Sequence, residues 1–423
     1  MKQALLFART ILIVGLLVLL GSVVEYRYSL INRLPIKLIN QSATSSDINP
    51  ETLSRLMNTE KPDPYGKVDF AVFWQAWEML EKYYVQPEKL DSTKMVDGAI
   101  SGMTASLSDP YTAYLPKEDK IRTGQDLAGA FFGVGIELGY VEGTLAVMAP
   151  LDGSPAAKAG VQAGDLIIRV KDEAKDIDED TNNWSLNHAV DVIRGPRNSE
   201  IILTLFRKNN GNEPFEVKLL RDEIVVKSVK LEFVEHNGKK AAHINLSKFG
   251  ERTIDEWNEA VIEILKQRSS ISGVVLDMRN NPGGFFDDAI AIASDFVPSG
   301  VVVSQKGRTA DQDFKATGNA RLKDVPVVVL VNGGSASASE IVAGALRDQI
   351  NAKLVGQKTF GKGTVQDRRD LSNGGALHVT IARWMMPKGE WIHETGIPVT
   401  VEAQDNPETL DKDEMLEKAI DEL

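Results

Sequence analysis

The sequence predicts an α/β protein with a parallel-stranded core and a smaller β-rich domain ahead of it. Gly273 to Met278 (GVVLDM) and Val325 to Val331 (VPVVVLV) are short apolar runs rich in β-branched residues, the composition of strands buried on both faces. Each run ends in a Gly turn, Arg279-Asn280-Asn281-Pro282-Gly283-Gly284 or Asn332-Gly333-Gly334, after which the apolar spacing becomes helical. Repeated strand, Gly turn and helix indicate parallel pairing. Between residues 123 and 224, short apolar runs alternate with Gly turns, which marks a separate β-rich domain.

The elements follow in order. Residues 1–28 carry Lys2 and Arg9 and then an uncharged stretch from Thr10 to Val24. Counted from Leu5, the apolar length is enough to span roughly 30 Å of hydrocarbon if Arg9 snorkels. A cleaved signal peptide and an uncleaved signal anchor both fit. Gly21-Ser22-Val23-Val24 offers no good small-x-small cleavage site, so we adopt the anchor, a single transmembrane helix. The positive end then stays cytoplasmic and the rest of the chain is extracytoplasmic, at the cell membrane. Residues 29–67, rich in Asn, Ser, Pro and charge, read as a linker. Residues 68–122 form a helical segment that opens with an aromatic face at Phe70, Phe73, Trp74, Trp77 and Leu80, which is expected to be core, with docking of a second copy as the alternative. After the β-rich domain, a core spans 225–403, with a helix from Thr253 whose Ile254, Trp257, Val261, Ile264 and Leu265 face inward. Residues 404–423 read as an acidic terminal helix.

Within the core, Ser335-Ala336-Ser337-Ala338-Ser339 sits at a strand-to-helix junction. A helix N-terminus presents unpaired N–H groups and the positive end of a dipole, which suits a developing oxyanion, and a serine there is a candidate nucleophile. Small serines that cap the helix and let it pack closely are the alternative. Downstream lies Thr359-Phe360-Gly361-Lys362-Gly363-Thr364-Val365-Gln366. A lysine between two glycines has no long neighbour to support its stem, so the loop is built to aim it. Lysine serves as a base when burial or cationic neighbours leave it neutral, and Ser-Lys pairs are a known variant of triad logic.

Composition excludes several other chemistries. A net charge of −12 leaves no basic stripe for nucleic acid. The absence of cysteine removes thiol catalysis, Cys-based metal sites and disulfides. The five histidines, His188, His236, His243, His378 and His393, lack zinc-site spacing. A Ser-His arrangement through His378 or His393 stays formally open.

Ser-Ala-Ser-Ala-Ser-Glu followed by Phe-Gly-Lys-Gly-Thr-Val-Gln resembles the signature of the carboxy-terminal processing peptidases, tail-specific serine proteases of peptidase family S41 that carry a PDZ domain. The resemblance runs from about Phe70 to the C-terminus and includes the string Asp109-Pro110-Tyr111-Thr112-Ala113-Tyr114-Leu115. It implies a crotonase/ClpP-like protease core, Ser337 as nucleophile, Lys362 as base and Gln366 as its orienting partner. It also implies an oxyanion hole from the Gly283 and Ala338 amides and no cofactor. For Gly283-Gly284, a tight strand-to-helix turn is a compatible reading. Residues 123–224 resemble a PDZ domain, with Phe132-Gly133-Val134-Gly135-Ile136 as its carboxylate-binding loop and Leu186, Ala189, Val190 and Ile193 along the groove helix. Arg194 matches an arginine that links bound peptide to the catalytic site in the family, and capping of the preceding helix explains it as well. The implied partners are proteins with apolar C-terminal tails and a second copy docked through the N-terminal helices, a homodimer. Glu340 is read as a first-turn acid outside the chemistry. The tail keeps its Pro and Gly marks at Met385 to Gly389 and Thr395 to Pro398, while the residues between differ from the family pattern. A non-catalytic PDZ scaffold and an esterase on the same fold are the rival readings.

Overall fold

The computed structural model describes residues 69–208, 213–406, 408–409 and 412–423. The transmembrane helix expected at 1–28 and the linker at 29–67 lie outside the described residues. Among the described residues no helix is long and apolar enough to cross a membrane.

The chain divides into two units, 1–90 and 91–423. In the first, the aromatic helix runs from Ala71 to Tyr83 and buries none of its residues, so the face expected to be core is not covered among the described residues; Phe73, Trp74 and Trp77 pack on one another instead. The second unit begins with the helix Ser92–Ala105, which Asp91 caps by accepting from the Thr93 and Lys94 amides.

A six-stranded sheet forms the heart of the second unit, in the order Val229–His236, Lys239–Leu246, Gly273–Asp277, Val327–Val331, Lys353–Gly356 and Val401–Glu402. The first pair is antiparallel and every later pair is parallel. Its strands alternate between two apolar layers. Ala242, Ile244, Val274, Leu276, Val329 and Val331 point to the side of the helices Thr253–Lys266, Phe286–Phe296 and Ala338–Ile350. Ala241, Val275, Val328, Leu330 and Val355 point the other way, where the helix Glu414–Asp421 covers them with Met415, Ala419 and Ile420. The acidic end of the chain is therefore a core element, because its apolar residues fall on one helical face.

A second sheet takes Thr364–Asp370, Ala376–Met385, Val301–Gly307 and Asp311–Lys315, and adds the short strand Ala113–Leu115 on the far edge of Ala376–Met385. That strand precedes the β-rich domain in sequence, so the core draws on residues from both sides of the insertion.

The inserted domain joins the core through an antiparallel neck, Ala130–Gly133 against Asp222–Val225. Beyond the neck a sheet runs Ile136–Val141, Thr144–Pro150, Leu166–Asp172, Glu200–Phe206 and Phe215–Leu220, around its own apolar core. Ile136–Val141 is an edge strand, and the helix Leu186–Ile193, capped by Ser185, packs beside it. Leu186 and Val190 are half-buried, whereas Ala189 and Ile193 are buried in the domain's core.

Candidate active site

The parallel strands Gly273–Asp277 and Val327–Val331 end at the same level, and their following loops lie side by side. Crevices at the carboxyl ends of parallel strands are where α/β folds bind ligands. Side chains lace the two loops together: Asn332 Nδ2 donates to Asn280 Oδ1 at 2.9 Å and Ser335 Oγ to the Met278 carbonyl at 2.7 Å. Ser339 Oγ donates to the carbonyl of the buried Asn281 at 3.0 Å.

Ser337 ends the second loop and precedes the helix Ala338–Ile350, with φ 55° and ψ −114°. This conformation is costly for a residue with a Cβ and persists only where the surroundings impose it. Gly283 (φ +96°) makes the turn possible, since a Cβ there would lie 2.8 Å from the Ser337 Cβ. The half-buried Ser337 and Lys362 open onto one cleft of about 720 Å³, together with Gly283, Ala338, Gln366 and His378. The helix Lys117–Ala128 lines the same cleft through Thr123, Asp126 and Leu127.

Glu340 ties the two motifs together. Its buried carboxylate accepts from the Ser337 amide at 2.8 Å and the Lys362 amide at 2.9 Å on Oε2, and from the Gly361 amide at 2.7 Å and Thr359 Oγ1 at 2.6 Å on Oε1. Burial pushes its pKa up, against the four hydrogen bonds. The sequence signal for this role is an acid inside a buried helix, which requires partners that spacing does not reveal. Burial also lowers the Lys362 pKa, while Glu340 and Asp109 oppose that shift. Trp384 Nε1 donates to the Lys362 carbonyl at 2.9 Å and helps to fix the loop.

Other expected residues take different positions. Among the described residues, no hydrogen bond joins Ser337 Oγ to Lys362 Nζ, and Gln366 Nε2 donates to Thr364 Oγ1 at 2.9 Å and Thr380 Oγ1 at 3.2 Å. The Ala338 amide donates no hydrogen bond among the described residues, whereas the Gly283 amide donates to Asn281 Oδ1 at 2.9 Å. His378 lines the cleft, and burial followed by the Lys362 and Arg368 charges pushes its pKa down. His393 stacks on Trp391 and accepts from the Gly363 amide through Nδ1 at 3.4 Å. In the inserted domain, Phe132 and Gly133 pair with Glu223 and Asp222 in the neck, so the expected carboxylate loop is shorter than the sequence suggested. The Val134 and Gly135 amides donate no hydrogen bond among the described residues.

Arg194 is the C-cap residue through its amide, which donates to the Val190 carbonyl at 2.9 Å, but its side chain does not satisfy the helix carbonyls. The Lys175 ammonium and the Arg221 guanidinium satisfy the Val192 carbonyl there, at 2.8 and 3.1 Å. Arg194 instead lies 4.2 Å over the Phe131 ring and 3.9 Å from Asp126 Oδ1, on the helix that lines the cleft.

These features define an α/β protein with an inserted β-rich domain and a cleft lined by Ser337 and Lys362, and comparison with known proteins gives its family. Residues 240–403 match the model of peptidase family S41, 147–207 that of the PDZ domain, and 36–119 that of the activating protease CtpB N-terminal domain. The chain is 34% identical over 346 residues to the carboxy-terminal processing protease CtpA of Bacillus subtilis (strain 168), covering 82% of this chain and 71% of that one. It is 38% identical over 314 residues to the probable CtpA-like serine protease of Staphylococcus aureus (strain COL), covering 73% and 60%. An S41 protease structure from Bacteroides fragilis NCTC 9343 shares the fold, with a TM-score of 0.51 at 19% identity over 81% of this chain and 92% of that one. The chain belongs to peptidase family S41 and is a carboxy-terminal processing serine protease with a PDZ domain.

Proposed function

We propose that this protease attacks with Ser337 and uses Lys362 as its general base, on a crotonase/ClpP-like core, and that its PDZ domain selects extracytoplasmic proteins by their C-terminal tails. The observation that carries the reading is Glu340, one buried carboxylate that holds the backbones of both Ser337 and Lys362 at a shared cleft. Ser337 Oγ adds to the scissile carbonyl carbon as neutral Lys362 takes the hydroxyl proton. The C–N bond then breaks and the ammonium returns that proton to the departing amine. Water repeats the sequence on the acyl-enzyme, releasing the acid and restoring Ser337. The Ala338 amide is free to meet the oxyanion, and the Gly283 amide joins it once it leaves Asn281. Gln366 supports the base side through Thr364 and Thr380.

Activity is expected to rise with pH through a midpoint below the ordinary lysine value of about 10.4, because only the neutral amine accepts a proton and burial favours that form. Rate measurements across pH on an unfolded protein with an apolar C-terminal tail test this. Loss of activity to a chelator, restored by zinc, would count against the reading, as would an unchanged acid limb in Lys362→Ala.

The edge strand Ile136–Val141 and the free Val134 and Gly135 amides suit an added peptide strand with a terminal carboxylate. Arg194 connects that domain to Asp126 at the cleft. A non-cleavable tail peptide should therefore accelerate cleavage of a tail-less reporter several-fold, and Arg194→Ala should weaken that activation more than peptide binding. Equal rates with and without the peptide would make the PDZ domain a passive tether. Anchoring by residues 1–28 and pairing of two copies complete the proposal.

A further inference from the structure

The string Asp109-Pro110-Tyr111-Thr112 takes no part in the chemistry above, yet it reaches Lys362. The Tyr111 ring centroid is 5.1 Å from Lys362 Nζ, within the range of a cation–π contact. Lys362 Nζ has no hydrogen-bond partner among the described residues. The ring is fixed from two sides. His393 meets it edge-on at 5.8 Å and stacks on Trp391 at 5.0 Å, and the Trp391 indole donates to the Gly363 carbonyl at 2.8 Å, next to Lys362. On the other side Asp109 accepts from the Tyr111 amide at 3.0 Å and from Thr112 Oγ1 at 2.7 Å, and Thr112 Oγ1 accepts from the Thr380 amide at 3.0 Å.

We propose that Tyr111 is a positioning residue for the base: its ring holds the Lys362 amine in the cleft and its π face stabilises the ammonium that forms as the serine proton arrives. The inference rests on the Ser337-Lys362 reading. A buried lysine base has two needs that conflict. The resting amine must be neutral, which burial favours, and the ammonium must still be tolerated in the transition state. Glu340 and Asp109 favour the ammonium, and His378, with Arg368 behind it, faces Lys362 from the strand Ala376–Met385. A carboxylate in direct contact would hold the amine charged at rest. An aromatic face gives a weaker, short-range preference and keeps water away. Burial and nearby carboxylates push the Tyr111 pKa up, so the ring stays a neutral phenol, and the proposal asks only for its π face.

The test is the pH dependence of kcat and KM for the full chain and three variants, with an unfolded reporter protein bearing an apolar C-terminal tail as substrate. Tyr111→Phe keeps the π face and is expected within about twofold of the parent, at the same midpoint. Tyr111→Leu keeps the apolar cover and loses the π face. Losing a group that favours the charged form lowers a pKa, so its acid limb should move to lower pH while the plateau kcat falls about tenfold at unchanged KM. Tyr111→Ala admits water, which restores the charged form, so its midpoint should move up. If the Leu variant loses cooperative unfolding, Tyr111→Met provides the same apolar bulk. A Leu or Met profile that superimposes on that of Phe overturns the inference, as does an Ala midpoint equal to the parent's. Lys362→Ala separates the two levels: retained turnover defeats the dyad itself, whereas lost turnover beside an unshifted Tyr111→Leu profile defeats the role of Tyr111 alone.

Discussion

Ser337→Ala and Lys362→Ala are each expected to lower peptide cleavage by about 10⁴-fold or more, and the double variant should be little worse than either. A nucleophile and its base act as one unit, so removing one disables the other. Neither change should disturb the fold. The Ser337 side chain contributes at most its half of a reciprocal cap with Glu340, whose other half is made by the retained Ser337 amide, and the loop around Lys362 is held through its backbone by Glu340 and Trp384. Ser337→Ala keeps a Cβ in a conformation the protein already imposes. Steady-state rates with matched unfolding curves test the prediction, and turnover within tenfold of the parent in either single variant would remove the dyad.

Glu340→Ala is expected to combine a large loss of activity with a loss of stability of about 3–5 kcal/mol. It strands four donors that now converge on two oxygens, three of them backbone amides. Glu340→Gln should restore little activity, which distinguishes this site from an ordinary buried acid. Three of the four partners are backbone amides that can only donate, so either orientation of the Gln amide sets its NH₂ group against at least one of them: Ser337 and Lys362 on one side, or Gly361 on the other, where the Thr359 hydroxyl can turn to accept. Denaturant melts and cleavage rates on the same preparations test both halves. A Gln variant with parent activity would show that the carboxylate is dispensable for holding the two loops.

The sequence was most informative where one local pattern determines the outcome. GVVLDM and VPVVVLV could be read as strands because burial on both faces needs continuous apolar runs, and Gly273–Asp277 is buried throughout. Ser337 and Lys362 stood out because each sits among small residues that leave room for chemistry. The role of Glu340 was not legible, because its spacing from Ser337 suggests a first-turn acid and its other partners come from a loop beyond the next strand. Ala113–Leu115 is too short to show a period, and only its partner strand defines it. The terminal helix was read from its charge, which masked the apolar face formed by Met415, Ala419 and Ile420. Tyr111 gave no local hint of its position over Lys362.

The hydrogen bond between Thr112 and Thr380 joins residues 268 positions apart. Chains emerge from the ribosome N-terminus first, and contacts this distant in sequence form late. Ser337 and Lys362 are therefore both synthesised before Ala376–Met385, the strand that must receive Ala113–Leu115 and with it Tyr111. Until that strand has been made, the nascent polypeptide contains Ser337 and Lys362 but not the completed cleft. The cleft is thus closed by two ends of the chain, 109–115 and 376–385, that meet only after the second has been made.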